Sequence, residues 1–171
     1  MARRLDPQAL AGHLDRIYRA ALALCNSRQD AEDLVQETYA KVLAKPRRLQ
    51  DGDELGYLLA ALRNTYFTSR RTASRRPRAD VELETVAAAD PRPDSQPAAA
   101  AEVDEVFAAI ASLPEDFRLA LIAIDIVGLS YAEAGKVLGV PHGTVATRVY
   151  RARGQVARLL REQPAPVRSP R

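Results

Sequence analysis

The chain has 171 residues, with 25 Lys and Arg against 22 Asp and Glu, and is 47% hydrophobic. That length holds one ordinary domain or two small ones, and that hydrophobic fraction excludes a chain too polar to fold. One Cys excludes an intramolecular disulfide and a Cys-built zinc site, and two distant His leave no other metal set, so no cofactor is expected. With no Trp, 3 Phe and 6 Tyr, the core rests on Leu, Val, Ile and Ala, which favours helices over sheets. No apolar run approaches the ~18 residues of a membrane span. The start MARRLDPQAL lacks the apolar stretch of a signal peptide, so a cytoplasmic protein without membrane insertion is expected.

In chain order, the first helical pattern runs from about Asp6 to Cys25. Asp6-Pro7 is a cap followed by a proline at the first helical position. Leu10, Leu14, Ile17, Tyr18, Ala21, Leu22 and Cys25 recur at three- and four-residue steps, the mark of one buried face. Asn26-Ser27 breaks the pattern, and Ser27 with Asp30 resembles a capping box. A second helix runs to about Lys45, where Pro46 ends it. After the loop PRRLQDGD a third helix covers about Glu54 to Arg75, with Leu55, Leu58, Leu59, Leu62 and Tyr66 as its apolar stripe. Periodicity then disappears from Pro77 to about Ala101, where four prolines sit among Asp, Glu, Ser and Ala. That stretch reads as a flexible linker.

Helical pattern resumes from Glu102 to Ser112, and a further helix runs from Glu115 to Val127 with Gly128 as its C-cap. Ser130 with Glu133 forms a capping box of correct spacing for a short helix ending near Leu138-Gly139. A last helix runs from His142 to about Arg161. No strand pattern is present. The fold class is therefore all-α: two small helical domains, 1–76 and 102–161, joined by the acidic Pro-rich linker 77–101 and followed by a disordered tail, 162–171.

Charge follows these boundaries. Residues 1–76 are net +5, 77–111 net −6 and 112–171 net +4. Two basic blocks about an acidic one suit two nucleic-acid-facing modules. The bases are 22 Arg and 3 Lys, and Arg pairs bidentately with phosphate and guanine, although a GC-rich genome also supplies it.

The stretch SYAEAGKVLGVPHGTVATRVYRARGQVARLL reads as helix, tight turn, helix, with Gly139 permitting the turn. At ~100° per residue, Val145, Val149, Ala152, Val156 and Leu159 fall on one line that packs inward. Roughly 120° away lie Thr144, Thr147, Arg148, Arg151, Gln155 and Arg158, a stripe without an acid. Thr144, Thr147 and Arg151 occupy the first turns, where a recognition helix meets base edges. Arg148, Arg153 and Arg158 are placed for phosphates.

In the second helix Asp33, Gln36, Glu37 and the small Ala40 share an open acidic side, opposite Ala31, Leu34, Val35, Thr38 and Val42. An open acidic side is either a solvated surface or a docking face for a partner helix. DAEDLVQETYAKVL (Asp30–Leu43) resembles region 2.2 of bacterial RNA polymerase sigma factors, and the fit is to the extracytoplasmic-function (ECF) group. LGYLLAALRNTYFTSRR (Leu55–Arg71) resembles the −10 region that follows, and the C-terminal helices from Leu113 resemble region 4.

The resemblance implies roles. Asp33, Leu34, Gln36 and Glu37 match positions that dock on the β′ clamp helices of core RNA polymerase, with the β subunit a further partner. The loop 46–54 matches the one that captures a flipped base of the −10 element, with Arg47, Arg48 and Gln50 as candidates. On the third helix Asn64 is expected near a base, and Arg63, Arg70, Arg71, Arg75 and Arg76 along the backbone. Thr144, Thr147, Arg148, Tyr150 and Arg151 match contacts to the −35 element of promoter DNA. The resemblance also implies an anti-sigma factor as partner, and a linker lying in polymerase's RNA channel. Gly56-Tyr57 and Ala146 depart from the Trp and the Lys or Arg that many relatives carry, which leaves the promoter sequence open. A dimeric helix-turn-helix regulator is the alternative, but no heptad seam or exposed apolar stripe offers a dimer interface. No Ser/His/Asp cluster, Gly-rich phosphate loop or metal set points to an enzyme.

Overall fold

The computed structural model describes residues 3–4, 7–50, 52–75 and 97–162. Asp6, Arg76, most of the expected linker and the tail beyond Glu162 lie outside these described residues. Among the described residues, eight α-helices carry the fold.

The expected first helix is two: α1 (Pro7–Gly12) and α2 (Leu14–Cys25). The break falls where Gly12, a poor helix former, precedes His13, whose N–H closes on Leu10 O at 3.1 Å. This turns Leu14 out to 47% exposure, whereas Leu10, Ile17, Ala20, Ala21 and Leu24 are buried. Asn26 ends α2 in the left-handed region (φ 51°), with its N–H on Leu22 O at 2.8 Å. Ser27 then caps α3 (Arg28–Ala44) by accepting from Asp30 N. Ala31, Leu34, Val35, Thr38 and Val42 of α3 are buried, as the spacing predicts. Buried Thr38 keeps its hydroxyl satisfied by donating to Leu34 O at 2.7 Å. Tyr39 donates to Leu10 O, and burial pushes its phenol pKa up to about 12.

One expectation fails in the loop after α3. Arg48–Leu49 (β2) pairs antiparallel with Arg3–Arg4 (β1), a two-residue ladder. So short a pairing carries no alternating pattern for a sequence to display. α4 (Glu54–Arg75) then buries Leu58, Leu59, Leu62, Thr65 and Tyr66 against α2 and α3, and the Tyr66 hydroxyl donates to Leu24 O at 3.3 Å.

α5 spans Pro97–Ala111, starting five residues before the expected Glu102. Pro97 stands at its first position, where a proline costs no hydrogen bond. Leu113 is buried, and Pro114 precedes α6 (Glu115–Leu121). The expected helix to Val127 instead widens into a π turn, Ile122–Ile126, with Val127 N on Ile122 O at 2.9 Å. Gly128 follows in the left-handed region at φ 84°. α7 (Tyr131–Leu138) has the full capping box: Ser130 Oγ accepts from Glu133 N, and Ser130 N donates to Glu133 Oε2 at 2.7 Å. Hydrogen bonding to its carboxylate from the Ser130 hydroxyl and then from the Ser130 backbone N–H holds the Glu133 carboxyl below its ordinary pKa. α8 (His142–Glu162) packs Val145, Val149 and Ala152 onto α6 and α7.

The two helical units share one core. α2 packs on α5 and on the π turn, α4 packs on α7, and the buried apolar cluster runs without a break from Leu10 to Ala152.

The turn before α8 tolerates no added carbon on its inner side. A Cβ at Gly135 would lie 2.7 Å from Val140 O, the next turn's own backbone. Gly135→Ala therefore forces α7 and α8 apart. It should destabilise the chain by about 1–3 kcal/mol, the cost of overpacking a tight contact, measured by urea denaturation followed by circular dichroism.

Candidate polymerase and nucleic-acid interfaces

Three surfaces carry the sequence-predicted residues. On α3, Asp33, Gln36, Glu37 and Ala40 are exposed along one side. Glu37 pairs with Lys41 at 2.6 Å. Leu34 does not join them: at 5% exposure it faces the core, because it shares the three- and four-residue steps of Ala31, Val35 and Thr38. It seats the helix on the core. Beside the acidic side lies a shallow groove of about 480 Å³, lined by Ala11, Leu14, Asp15, Tyr18, Val35 and Gln36, with Glu32 at its edge. Periodicity placed Leu14 in the core; only the break at His13 turns it into this groove.

The second surface is the loop after α3 with one flank of α4. Arg47, Arg48 and Gln50 are exposed. The loop returns through Gly52 (φ 95°), whose N–H donates to Glu54 Oε2 at 3.0 Å. On α4, guanidinium and ring alternate. Arg63 lies over the Phe67 ring at 5.4 Å, Arg70 over Tyr66 at 5.6 Å, and the two rings meet edge to face at 5.5 Å. Cation–π contact of this kind holds both guanidiniums in place while leaving their charge available. Tyr66, 9% exposed, belongs to the core, whereas Phe67 stays half-buried at the surface. Asn64 and Arg71 are exposed. Arg70 also stands 3.9 Å from Glu115 of α6.

The third surface is the outer side of α8. Thr144, Thr147, Arg148 and Arg151 line one open cavity of about 440 Å³ together with Asp116, Phe117 and Gly143. Tyr150 stands outside that lining at 81% exposure. Thr147 Oγ1 donates to Gly143 O at 3.1 Å. The stripe lacks an acid along its own helix, but the fold supplies one: Asp116 pairs with Arg148 at 3.1 Å. Arg153, expected on phosphate, is engaged elsewhere, since both Asp125 oxygens accept from it at 2.6 and 2.9 Å. The π turn that carries Asp125 had no signal in the sequence, and neither had Asp116 as a neighbour of α8.

Cys25 is half-buried, and desolvation, reinforced by Asp30 and opposed by Arg118, pushes its thiol up to about 11, far from thiolate at neutral pH. Among the described residues no group of three His, Cys, Asp or Glu is placed to hold a metal ion, and no helix is long and apolar enough to cross a membrane.

The geometry matches known proteins in the same order. Residues 10–76 match the family described as Sigma-70 region 2, and residues 104–156 match Sigma-70, region 4. The chain is 37% identical over 143 residues to the ECF RNA polymerase sigma factor EcfG of Rhodopseudomonas palustris, covering 82% of this chain and 76% of that one. It is 38% identical over 146 residues to the ECF RNA polymerase sigma factor SigE of Mycolicibacterium smegmatis, covering 84% of this chain and 57% of the relative. Among solved structures, the sigma factor RpoE in complex with the anti-sigma factor NepR from Bartonella quintana superposes with a TM-score of 0.69 at 27% identity, over 92% of this chain and 97% of that one. CnrH, solved with the cytosolic domain of CnrY, shares the fold at a TM-score of 0.66 and 23% identity, over 92% of this chain and 88% of that one. The chain belongs to the sigma-70 family. Within it, it is a member of the ECF group of sigma factors.

Asp116 shields the basic stripe at its centre. Asp116→Asn frees Arg148 and removes a like charge from the path of a phosphate. Such a surface pair is worth about 0–1 kcal/mol, so affinity of the full chain for duplex DNA should rise up to ~5-fold at low salt, read by fluorescence anisotropy, with the gain fading as salt increases.

Proposed function

We propose that this chain is a transcription initiation factor: it binds core RNA polymerase and directs it to promoters. Residues 1–76 form the unit that docks on polymerase and reads the −10 element. Residues 102–161, led in by the start of α5, read the −35 element, and 77–101 join them. The observation that carries this reading is one chain presenting, in order, an open acidic side on α3, a guanidinium–aromatic flank on α4 and a basic stripe on α8.

The roles follow from the chemistry of each surface. Asp33, Gln36 and Glu37 offer carboxylates and an amide to a basic partner helix. Leu14, at the rim of the adjoining groove, adds apolar area to that contact. Arg47, Arg48 and Gln50 offer polar groups to an unpaired base, while Arg63, Arg70 and Arg71 hold the strand and Phe67 stacks on it. Thr144, Thr147 and Arg151 meet base edges of duplex −35 DNA in the major groove, with Arg148 and Tyr150 beside them. The protein supplies binding and positioning and no chemical step of its own. It works in the cytoplasm, and an anti-sigma factor is among its partners; the similar sigma factor RpoE was solved in complex with the anti-sigma factor NepR. An operator-binding dimer is not favoured, since the region 2 match has no place in it.

Co-purification of the full chain with core polymerase tests the reading directly. Asp33→Lys with Glu37→Lys reverses the charge of the α3 face at exposed positions. It should abolish that complex while circular dichroism stays unchanged; normal assembly would remove the face from the interface. Arg151→Ala should lower transcription from −35-dependent promoters by about 1–3 kcal/mol, or ~5- to 150-fold, the cost of one lost base contact.

A further inference from the structure

β1 lies against the loop on which capture of a −10 base depends. That loop, between α3 and α4, holds little structure of its own: Asp53 N donates to Gln50 O at 3.1 Å, and Gly52 N to Glu54 Oε2 at 3.0 Å. Its strand partner is β1, with Arg3 opposite Leu49 and Arg4 opposite Arg48. Successive residues of a strand face opposite ways. In β2, Leu49 is half-buried against the core while Arg48 is exposed. Leu49 therefore seats β2, and the backbone ladder brings β1 to it.

The pairing collects positive charge. Residues 3–4 and 45–49 include Arg3, Arg4, Lys45, Arg47 and Arg48, and no acid. Directly opposed positions of an antiparallel pair have Cα atoms about 4.5–5.5 Å apart, and Arg4 and Arg48 occupy such a rung. Like charges directly opposite destabilise a cross-strand pair, and a ladder of two residues has little to offset that cost. Among the described residues no carboxylate pairs with Arg47 or Arg48. Of the acids that follow, Asp51 lies outside the described residues, and Glu54 accepts from Gly52 N.

An anion bound along this rung would relieve the repulsion. A nucleic-acid strand suits it, because its charges repeat and its phosphates accept bidentate pairs from guanidinium. Continuity with α4 selects an unpaired strand. The loop leads into the helix that carries Arg63, Phe67 and Arg70, and Arg63 lies nine residues, or about 14 Å, beyond Glu54. A basic track with a ring for stacking favours single-stranded bases over closed duplex.

We propose that β1 is a further part of the −10 reader: Arg3 and Arg4 bind phosphates of the unpaired strand beside the base that the loop captures, and that strand's charge in turn holds β1 on β2. The inference rests on the promoter-reading function proposed above.

The salt dependence of binding counts the phosphates. Holoenzyme is assembled from core polymerase and the full chain. The probe is a fluorescein-labelled promoter fragment that the unsubstituted chain transcribes, with its −10 stretch opened by mismatches. Each phosphate contact on a single strand contributes ~0.7 to the slope of log affinity against log salt. Arg3→Gln with Arg4→Gln should therefore flatten the slope by about 1.4 and lower affinity up to ~25-fold near ~0.1 M salt. Arg4→Gln alone should flatten it by about 0.7. Arg3→Lys with Arg4→Lys keeps both charges and should keep the slope. Circular dichroism and co-purification with core polymerase should stay the same in every variant. An unchanged slope in the double Gln variant overturns the inference alone, even where affinity falls equally at all salt concentrations, since β1 would then only shape the loop. Equal flattening on the fully paired fragment overturns it too, because the arginines would then bind duplex. An unsubstituted chain that directs polymerase to no promoter, or whose holoenzyme favours the opened fragment no more than the paired one, overturns the −10 reading and this inference with it.

Discussion

Arg118 joins the ends of two helices that the chain order keeps 87 residues apart, from Leu24 to Ala111. A buried guanidinium without a carboxylate is costly unless its donors are met, and here backbone carbonyls at two helix C-termini accept from Nη1, while the buried Nε has no hydrogen bond. The same site explains why Cys25 is inert: it sits beside the junction, where desolvation outweighs the favourable field of Arg118 and keeps the thiol protonated. Around that point the apolar faces of α2, α5 and the π turn close into one core. Two units too small to bury much alone gain a shared interior by packing together.

What the sequence displays of this fold is whatever one turn of chain decides. Ser130 and Glu133 announce the start of α7 because both halves of the capping box lie within three residues. The buried stripes of α3, α4 and α8 follow from spacing alone, and so does the open side holding Asp33, Gln36 and Glu37. Features settled by tertiary contact are invisible by the same measure. Asp116 meets Arg148 across 32 positions, and Asp125 meets Arg153 across 28. Leu14 fits the apolar rhythm of a helix that runs straight, and the real helix breaks one residue before it. Family resemblance points Leu34 to the docking contact while its own spacing points it inward, and at 5% exposure its side chain faces the core.

The charge blocks acquire a different meaning once the contacts are known. The acidic stretch and the residues just after it do not only separate the basic units; they engage them. Asp104 pairs with Arg28, Glu115 with Arg70 and Asp116 with Arg148. In each case an acid from the C-terminal unit's first two helices stands where a phosphate or a partner carboxylate would otherwise come. Arg70 and Arg148 belong to surfaces assigned to DNA, so the chain covers part of its own binding charge, Arg70 from across the seam and Arg148 from within its own unit.

These exposed pairs are individually weak, about 0–1 kcal/mol each and less as salt rises. Weakness is what exchange requires. A phosphate displacing Glu115 or Asp116 replaces one ionic contact with another and releases counterions from the nucleic acid. Such an exchange needs little energy of its own. The apolar seam and Arg118 are different, because their burial is lost when the units part and nothing on DNA replaces it.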